Sequence, residues 1–277
     1  MNKKKIKILF VFLIICALLL GIIFNIQTIQ NIMKEIRIKQ YGEPIDESTG
    51  LINNQYFDIQ PQNSKKATKG INKAIEYAEK NNISYIKLQR DTYLIDSVGL
   101  MDEEKGIIIK SNIEFDLNGS KLIIKENSSP YYSAITIQNV NNVILKNGTI
   151  VGDKEKHTFV ADNDQWGFGI SIKDASNIGI NNIEIYDTIG DGIYISKIKE
   201  NPKDIRIFNC NIYKTRRQGI SIISGENLKI YNNEIHDIFG KNPQSAINVE
   251  SNNSNQNINN VEIYYNKLYN LGGTYAI

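Results

Sequence analysis

Cysteine and histidine are scarce in this 277-residue chain, with two of each, and there is one tryptophan. Cys16 lies in an apolar run and Cys210 in a strand-like pattern, so no disulfide staples the fold. Cys210 reads as a small buried apolar residue rather than a nucleophile. There is no zinc-type Cys/His spacing, no P-loop and no Gly-x-Ser-x-Gly, which excludes the chemistries those motifs carry. An excess of one charge is missing too. Lys+Arg number 32 and Asp+Glu 30, and removing Lys3, Lys4, Lys5 and Lys7 leaves 28 − 30 = −2 for the body. Without a basic field, nucleic acid is excluded as the expected partner. Long 3.6-period segments and leucine repeats are absent, which rules out helical solenoids and leucine-rich repeats.

One unbroken apolar run is present, residues 8–24, preceded by the basic cluster "NKKKIK". It is long enough to span a bilayer. No small-x-small cleavage site follows it, so residues 1–24 are expected to be an uncleaved signal anchor, with a cleaved signal peptide as the alternative. The lysines belong on the cytoplasmic side, which sets the body outside at the cell membrane, or secreted if the segment is cleaved. Residues 25–60 are polar, broken by Gly42 and Pro44, and read as a stalk. Residues 67–80 place Ile71, Ala74, Ile75 and Ala78 at helical spacing, with Thr68 as the expected N-cap.

From there the chain repeats. "SAITI", "FGISI", "DGIYI", "QGISI", "SAINV" and "YAI" set their first isoleucines at Ile135, Ile170, Ile193, Ile220, Ile247 and Ile277. The intervals are 35, 23, 27, 27 and 30 residues, each holding about three short strands. That pattern predicts an all-β fold over residues 61–277: a right-handed parallel β-helix, three short strands per coil, capped by the N-terminal helix. Asn147, Asn182, Asn209 and Asn232 each stand three residues before an isoleucine and predict an asparagine ladder at one corner. "GGTYAI" stops inside a new strand, so the β-helix is expected to be C-terminally incomplete.

Stacked coils lie about 4.8 Å apart, which turns the alignment into columns. Asp187 and Asp191 on one coil should adjoin Arg216, Arg217 and Gln218 on the next, with Asp164 and Trp166 one coil earlier. Gln244, Asn248 and Glu250 come one coil later, and Tyr194 projects from the outer face. Gly169, Gly192 and Gly219 form a column that would leave a groove beside them. Such a surface suits a long polar chain. Trp166 offers a flat face to a sugar ring, with Gln218, Tyr194, Gln244, Asn248 and Glu250 as further substrate contacts. Arg216 and Arg217 pair with carboxylates. Asp164, Asp187 and Asp191 are candidate Ca²⁺ ligands, and Asp187 and Asp191 also candidate acid–base groups. The same charges also stack as purely structural inter-coil ion pairs in parallel coils. His236 is outward-facing beside Asp237, and His157 sits in a longer insertion that would wall the groove.

"GINKAIEYAEKNNISYIKLQRDTYLID", "GDGIYI", "RRQGISI" and "PQSAINVE" resemble the cap and successive coils of the pectate-lyase-like superfamily, over about residues 58–277. That resemblance implies a polysaccharide partner, acidic by preference. It also implies a lyase or C5-epimerase activity on a uronate polymer, with Asp191, Arg217, Arg216 and Asp187 as the catalytic set. A non-catalytic carbohydrate-binding adhesin or a spike-like surface protein is the other reading. "GDGI" offers only Asp191 where polygalacturonases carry paired aspartates, and Asn248 stands where related coils carry aspartate.

Overall fold

The computed structural model describes residues 26–100, 103, 105–160 and 164–277. The chain divides into two compact units, residues 1–44 and 45–277. The expected anchor, residues 8–24, lies outside the described residues; among these, no helix is long and apolar enough to cross a membrane. Helix α1, described over residues 26–41, belongs to the first unit.

The second unit starts earlier than the composition implied. Ile45, Ile52, Tyr56, Phe57 and Ile59, placed by their polar surroundings in a stalk, are buried in it. Leu51 forms a parallel bridge to Lys87 at the end of β1 (Tyr85–Lys87), so this segment lies against the first coil. Helix α2 spans Ser64–Lys80 and packs against the strands β2 (Thr92–Ile95) and β3 (Ile107–Ile108). Its buried face carries Ala67, Ile71, Ala74, Ile75 and Ala78. The N-cap is Asn63, whose side chain accepts from the Lys66 amide at 3.1 Å, not Thr68. Thr68 is buried one turn in, where its hydroxyl accepts from the Asp96 amide at 2.8 Å.

The coils form two parallel sheets. One is six-stranded and built from β3, β5 (Tyr131–Gln138), β7 (Trp166–Lys173), β9 (Asp191–Ser196), β12 (Gln218–Ile222) and β15 (Ser245–Val249). The other has eleven strands. Its long members β4 (Ile113–Ile124), β6 (Asn141–Val151) and β8 (Ser176–Tyr186) run through the corner. In later coils the same path breaks in two: β10 (Lys203–Phe208) then β11 (Asn211–Tyr213), β13 (Gly225–Tyr231) then β14 (Glu234–Ile238), β16 (Ile258–Tyr264) then β17 (Lys267–Leu271). Those coils have the three strands the repeats predict.

The isoleucine column is continuous. Ile107, Ile135, Ile170, Ile193, Ile220 and Ile247 pair in register from coil to coil. All six are fully buried, and each contributes roughly 1.5–3 kcal/mol of transfer free energy. Ile277 does not join them: it lies outside any strand and is 58% exposed.

Asparagines turn the corners. Asn118, Asn147, Asn182, Asn209 and Asn232 all take left-handed backbone conformations, φ 53–61°, which asparagine tolerates better than most residues. Asn182 donates to Asn147 at 2.9 Å, but Asn209 turns to Asn181 instead of Asn182. A second ladder, not singled out by the alignment, is more regular. Asn142 donates to Asn112, Asn177 to Asn142, Asn227 to Asp204 and Asn260 to Asn227, at 2.7–3.1 Å.

Candidate functional site

The columns converge on β9 and β12. Asp191 and Gln218 are register partners, as are Tyr194 and Ser221. Arg217 meets Asp191 bidentately, Nε to Oδ1 at 2.9 Å and Nη2 to Oδ2 at 3.1 Å. Nη2 also donates to the Gln218 side-chain oxygen at 2.9 Å. The Ser221 hydroxyl donates to Asp191 Oδ2 at 2.7 Å and lies against the Gln218 oxygen. The guanidinium stacks on Trp166, 4.9 Å from the ring centroid.

This cluster is closed. Asp191 is fully buried, and Gln218 and Ser221 nearly so. Burial pushes the Asp191 carboxyl above its ordinary range, and Arg217 and Ser221 pull it back. The covering is apolar: Phe168 and Tyr194 stack at 4.4 Å, pack with Ile223, and hold Trp166 against them. The sheet thus carries a small second core on its outer face. Tyr194 and Gln218, expected to touch substrate, are buried within this region. Arg217 keeps a small opening: its side chain is 11% exposed.

The glycine column has a different cause from the groove expected of it. A Cβ on Gly192 would stand 2.5 Å from the Ile212 side chain and 2.7 Å from the Gly219 carbonyl oxygen. Close approach inside the coil requires glycine there, and no outer groove follows from it.

Arg216 turns the other way. Its Nη1 donates to the Asp164 carbonyl at 2.6 Å, and its guanidinium lies 4.5 Å from the Phe159 ring centroid. The insertion between β6 and β7 is therefore tied to Arg216. At the insertion's start, His157 and Asp153 are buried as a pair, 2.9 Å apart.

The remaining candidates separate. Asp187 sits at a corner with φ 57°, bonded to neither arginine; burial raises its carboxyl and Lys154 opposes that. The Asp164 carboxylate accepts from the Val160 amide at 2.5 Å. Gln244 folds back on its own turn, accepting from Gly240 and donating to Asn242. Asn248 donates to exposed Glu250 at 3.2 Å. Among the described residues no three His, Cys, Asp or Glu side chains gather as a metal-binding group, so Asp164, Asp187 and Asp191 do not form the expected Ca²⁺ cluster. Ser221, Phe159 and Phe168 join the candidates only in the structure. Ser221 was findable as the register neighbour of Tyr194, one coil above Asp191.

A neighbouring surface holds His236. Its ring stacks between Tyr213 and Tyr269 at 5.1 and 4.8 Å, and Tyr186 extends the ladder at 4.9 Å. His236 Nδ1 faces Asp237 at 2.8 Å, Tyr213 donates to Glu184 at 3.0 Å, and Tyr269 to Glu234 at 2.7 Å.

A chain of parallel coils with asparagine corners and a capping helix defines a β-helix protein. Residues 78–263 match the sequence profile described as the right handed beta helix region, and the chain belongs to that family. It is 30% identical over 210 residues to the SPbeta prophage-derived uncharacterized protein YorA of Bacillus subtilis (strain 168), covering 68% of this chain and 36% of the relative. It is 29% identical to the uncharacterized protein YclG of the same organism, covering 62% of this chain and 32% of the relative. The chain thus spans about a third of the length of these curated relatives. Among solved structures, it resembles tailspike protein gp49 of Acinetobacter baumannii bacteriophage Fri1, a capsular polysaccharide depolymerase. That match has TM-score 0.54 and 16% identity, over 77% of this chain and 38% of the other. A Parabacteroides merdae protein provisionally named a glycosyl hydrolase matches with TM-score 0.56 and 14% identity, over 77% and 96% of the two chains. These structural likenesses establish the fold.

Proposed function

We propose that this β-helix binds an acidic polysaccharide outside the cytoplasm, tethered to the membrane through residues 8–24, and that Trp166 and Arg217 contact the polymer. One observation carries the reading: Arg217 is held by Asp191 and laid on Trp166 with 11% of its side chain left exposed. An arginine fixed in this way needs no reordering to meet a sugar carboxylate, and the indole supplies an apolar face beside it. The tailspike's description as a capsular polysaccharide depolymerase supports the polymer class.

Lyase or C5-epimerase chemistry is the activity this site would favour over hydrolysis. Neutralising a uronate carboxylate acidifies its C5 proton, and that is the role proposed for Arg217. Asp191 is wholly buried and locked to Arg217, so it acts as the positioning residue and not as a base. The test is to incubate the body with uronate polymers, with and without Ca²⁺. Ultraviolet-absorbing unsaturated products identify a lyase, and solvent-deuterium incorporation at C5 an epimerase. Binding without either leaves an adhesin, and no binding to any uronate polymer overturns the proposal. Retention on membranes after a high-salt wash tests the tether.

A further inference from the structure

Where β4, β6 and β8 turn the asparagine corner, a groove of about 490 Å³ lies along the stack of coils, on residues that make none of the Arg217 contacts. Arg90, Asn118, Asn147, Asn182 and Asn209 line it from five successive coils, so it runs with the β-helix axis for roughly 19 Å, four coil spacings. Thr149, Glu184 and Asn211, paired in register, form its side. Asn147 donates to Asp116 at 3.1 Å and Asn182 to Asn147 at 2.9 Å. The ladder then breaks. Asn209 turns to Asn181 at 3.3 Å, so the Asn182 carbonyl oxygen receives no amide from the coil above. The second ladder, by contrast, runs unbroken through Asn112, Asn142 and Asn177. Each amide carries two N–H donors and an acceptor oxygen. Asn182 and Asn209 are exposed, so the capacity they do not use within the fold meets solvent in the groove.

The lining restricts what can lie there. Arg90 and Glu184 are its only charged residues, giving 1 − 1 = 0. Both Glu184 oxygens already accept, from Thr149 and from Tyr213, each at 3.0 Å. No net charge draws an ion, and the one large apolar residue, Ile183, is buried. What the groove presents is a row of neutral groups that both donate and accept, repeated coil by coil. A sugar hydroxyl also donates and accepts. In an extended β-1,4-linked chain each pyranose advances by a step close to the coil spacing, so successive rings meet equivalent amides. The geometry points to a second carbohydrate site here, one that takes a neutral β-1,4-linked glycan along the β-helix axis, with Asn182 and Asn209 as its main hydrogen-bonding residues. It is independent of the Trp166–Arg217 reading, which concerns an anionic sugar on the other sheet.

The full chain would be titrated with cellohexaose, mannohexaose and xylohexaose, and with maltohexaose as a neutral chain that coils, by calorimetry and saturation-transfer NMR. At least one of the extended hexaoses should bind at millimolar concentration or better, and maltohexaose more weakly. Asn182→Gly combined with Asn209→Gly removes both amides and keeps the corner, because both positions are left-handed, at φ 53° and 54°, and glycine accepts that conformation. The pair should weaken binding at least about tenfold. Asn142→Gly removes the same kind of group from the second ladder, outside the groove, and should leave binding unchanged. A galacturonate hexamer should not displace the neutral glycan. Thermal melts confirm that each variant folds; if the double variant does not, Asn209→Gly decides alone. The proposal is overturned if no extended hexaose binds, if maltohexaose binds most tightly, or if binding is indifferent to the glycine pair. Equal loss in Asn142→Gly or displacement by galacturonate overturns it too. Failure of the Trp166–Arg217 reading would leave all of these outcomes unmoved.

Discussion

Two polar clusters lie on different sheets of the same coils and are each built on carboxylates that accept from side-chain donors, yet they differ in accessibility. On the six-stranded sheet, Asp191, Gln218 and Ser221 are buried beside the apolar cluster of Phe168, Tyr194 and Trp166, and only Arg217 keeps a small exposed part. On the other sheet, Glu184, Tyr213, His236, Glu234 and Tyr269 form an outer ladder that is half-buried or exposed. In the first, a carboxylate has lost its water and depends on one arginine. In the second, every carboxylate keeps solvent as an alternative partner. Residue type alone does not distinguish a structural strut from an accessible group; the cover does.

The most severe test of the comparison is Ile220→Asp, which places a carboxylate on β12 two residues from Gln218 but facing the isoleucine column. With no cation to meet it, the coil should fail to fold, seen as loss of a cooperative thermal transition. An unchanged midpoint would mean that the column is not a core. Chemical access gives the next largest effect. Burial pushes the Cys210 thiol up to about 12, so its thiolate appears in the folded state only toward that pH. At pH 8 alkylation should run at least about a thousandfold slower in the native protein than in denaturant.

Arg217→Ala follows. Removing one partner of a buried pair typically costs about 3–5 kcal/mol, which denaturant unfolding would register. A surface pair would have lost little. Replacing both residues, Asp191→Leu with Arg217→Met, should restore much of that stability but not polymer binding. On the outer ladder, His236→Ala removes two stacked contacts and should cost only about 1 kcal/mol. A loss as large as that of Arg217→Ala would erase the distinction between the clusters. The smallest effect belongs to Lys229→Ala. Its pairing with Glu262 is exposed on both sides, and neither the melting midpoint nor polymer binding should move.

The periodic parts of this protein were legible in its sequence. The isoleucine column, the parallel coils and the left-handed asparagine corners each repeat a local requirement at the coil spacing. A one-dimensional alignment therefore captures them. Irregular features were not legible. The hydrophobic residues of 45–60 looked like stalk because six apolar side chains in a polar segment make no period. Thr68 looked like a cap because its hydroxyl suits one, but it bonds to Asp96, which is remote in sequence. The candidate site was half legible: register placed Asp191 beside Gln218 and Arg217, but gave no depth.

By itself, the sequence determined which strand positions pair from Ile135 to Ile247, because in a parallel β-helix register follows from counting residues per coil. It could not determine which face of those neighbours is wet. That depended on the tertiary structure, through the turn of Arg216 toward Phe159 and Asp164, the lay of Trp166 on Arg217, and the stack of Phe168 on Tyr194. The physical reason is that burial sums over side chains from several coils at once. No column of the alignment contains that sum.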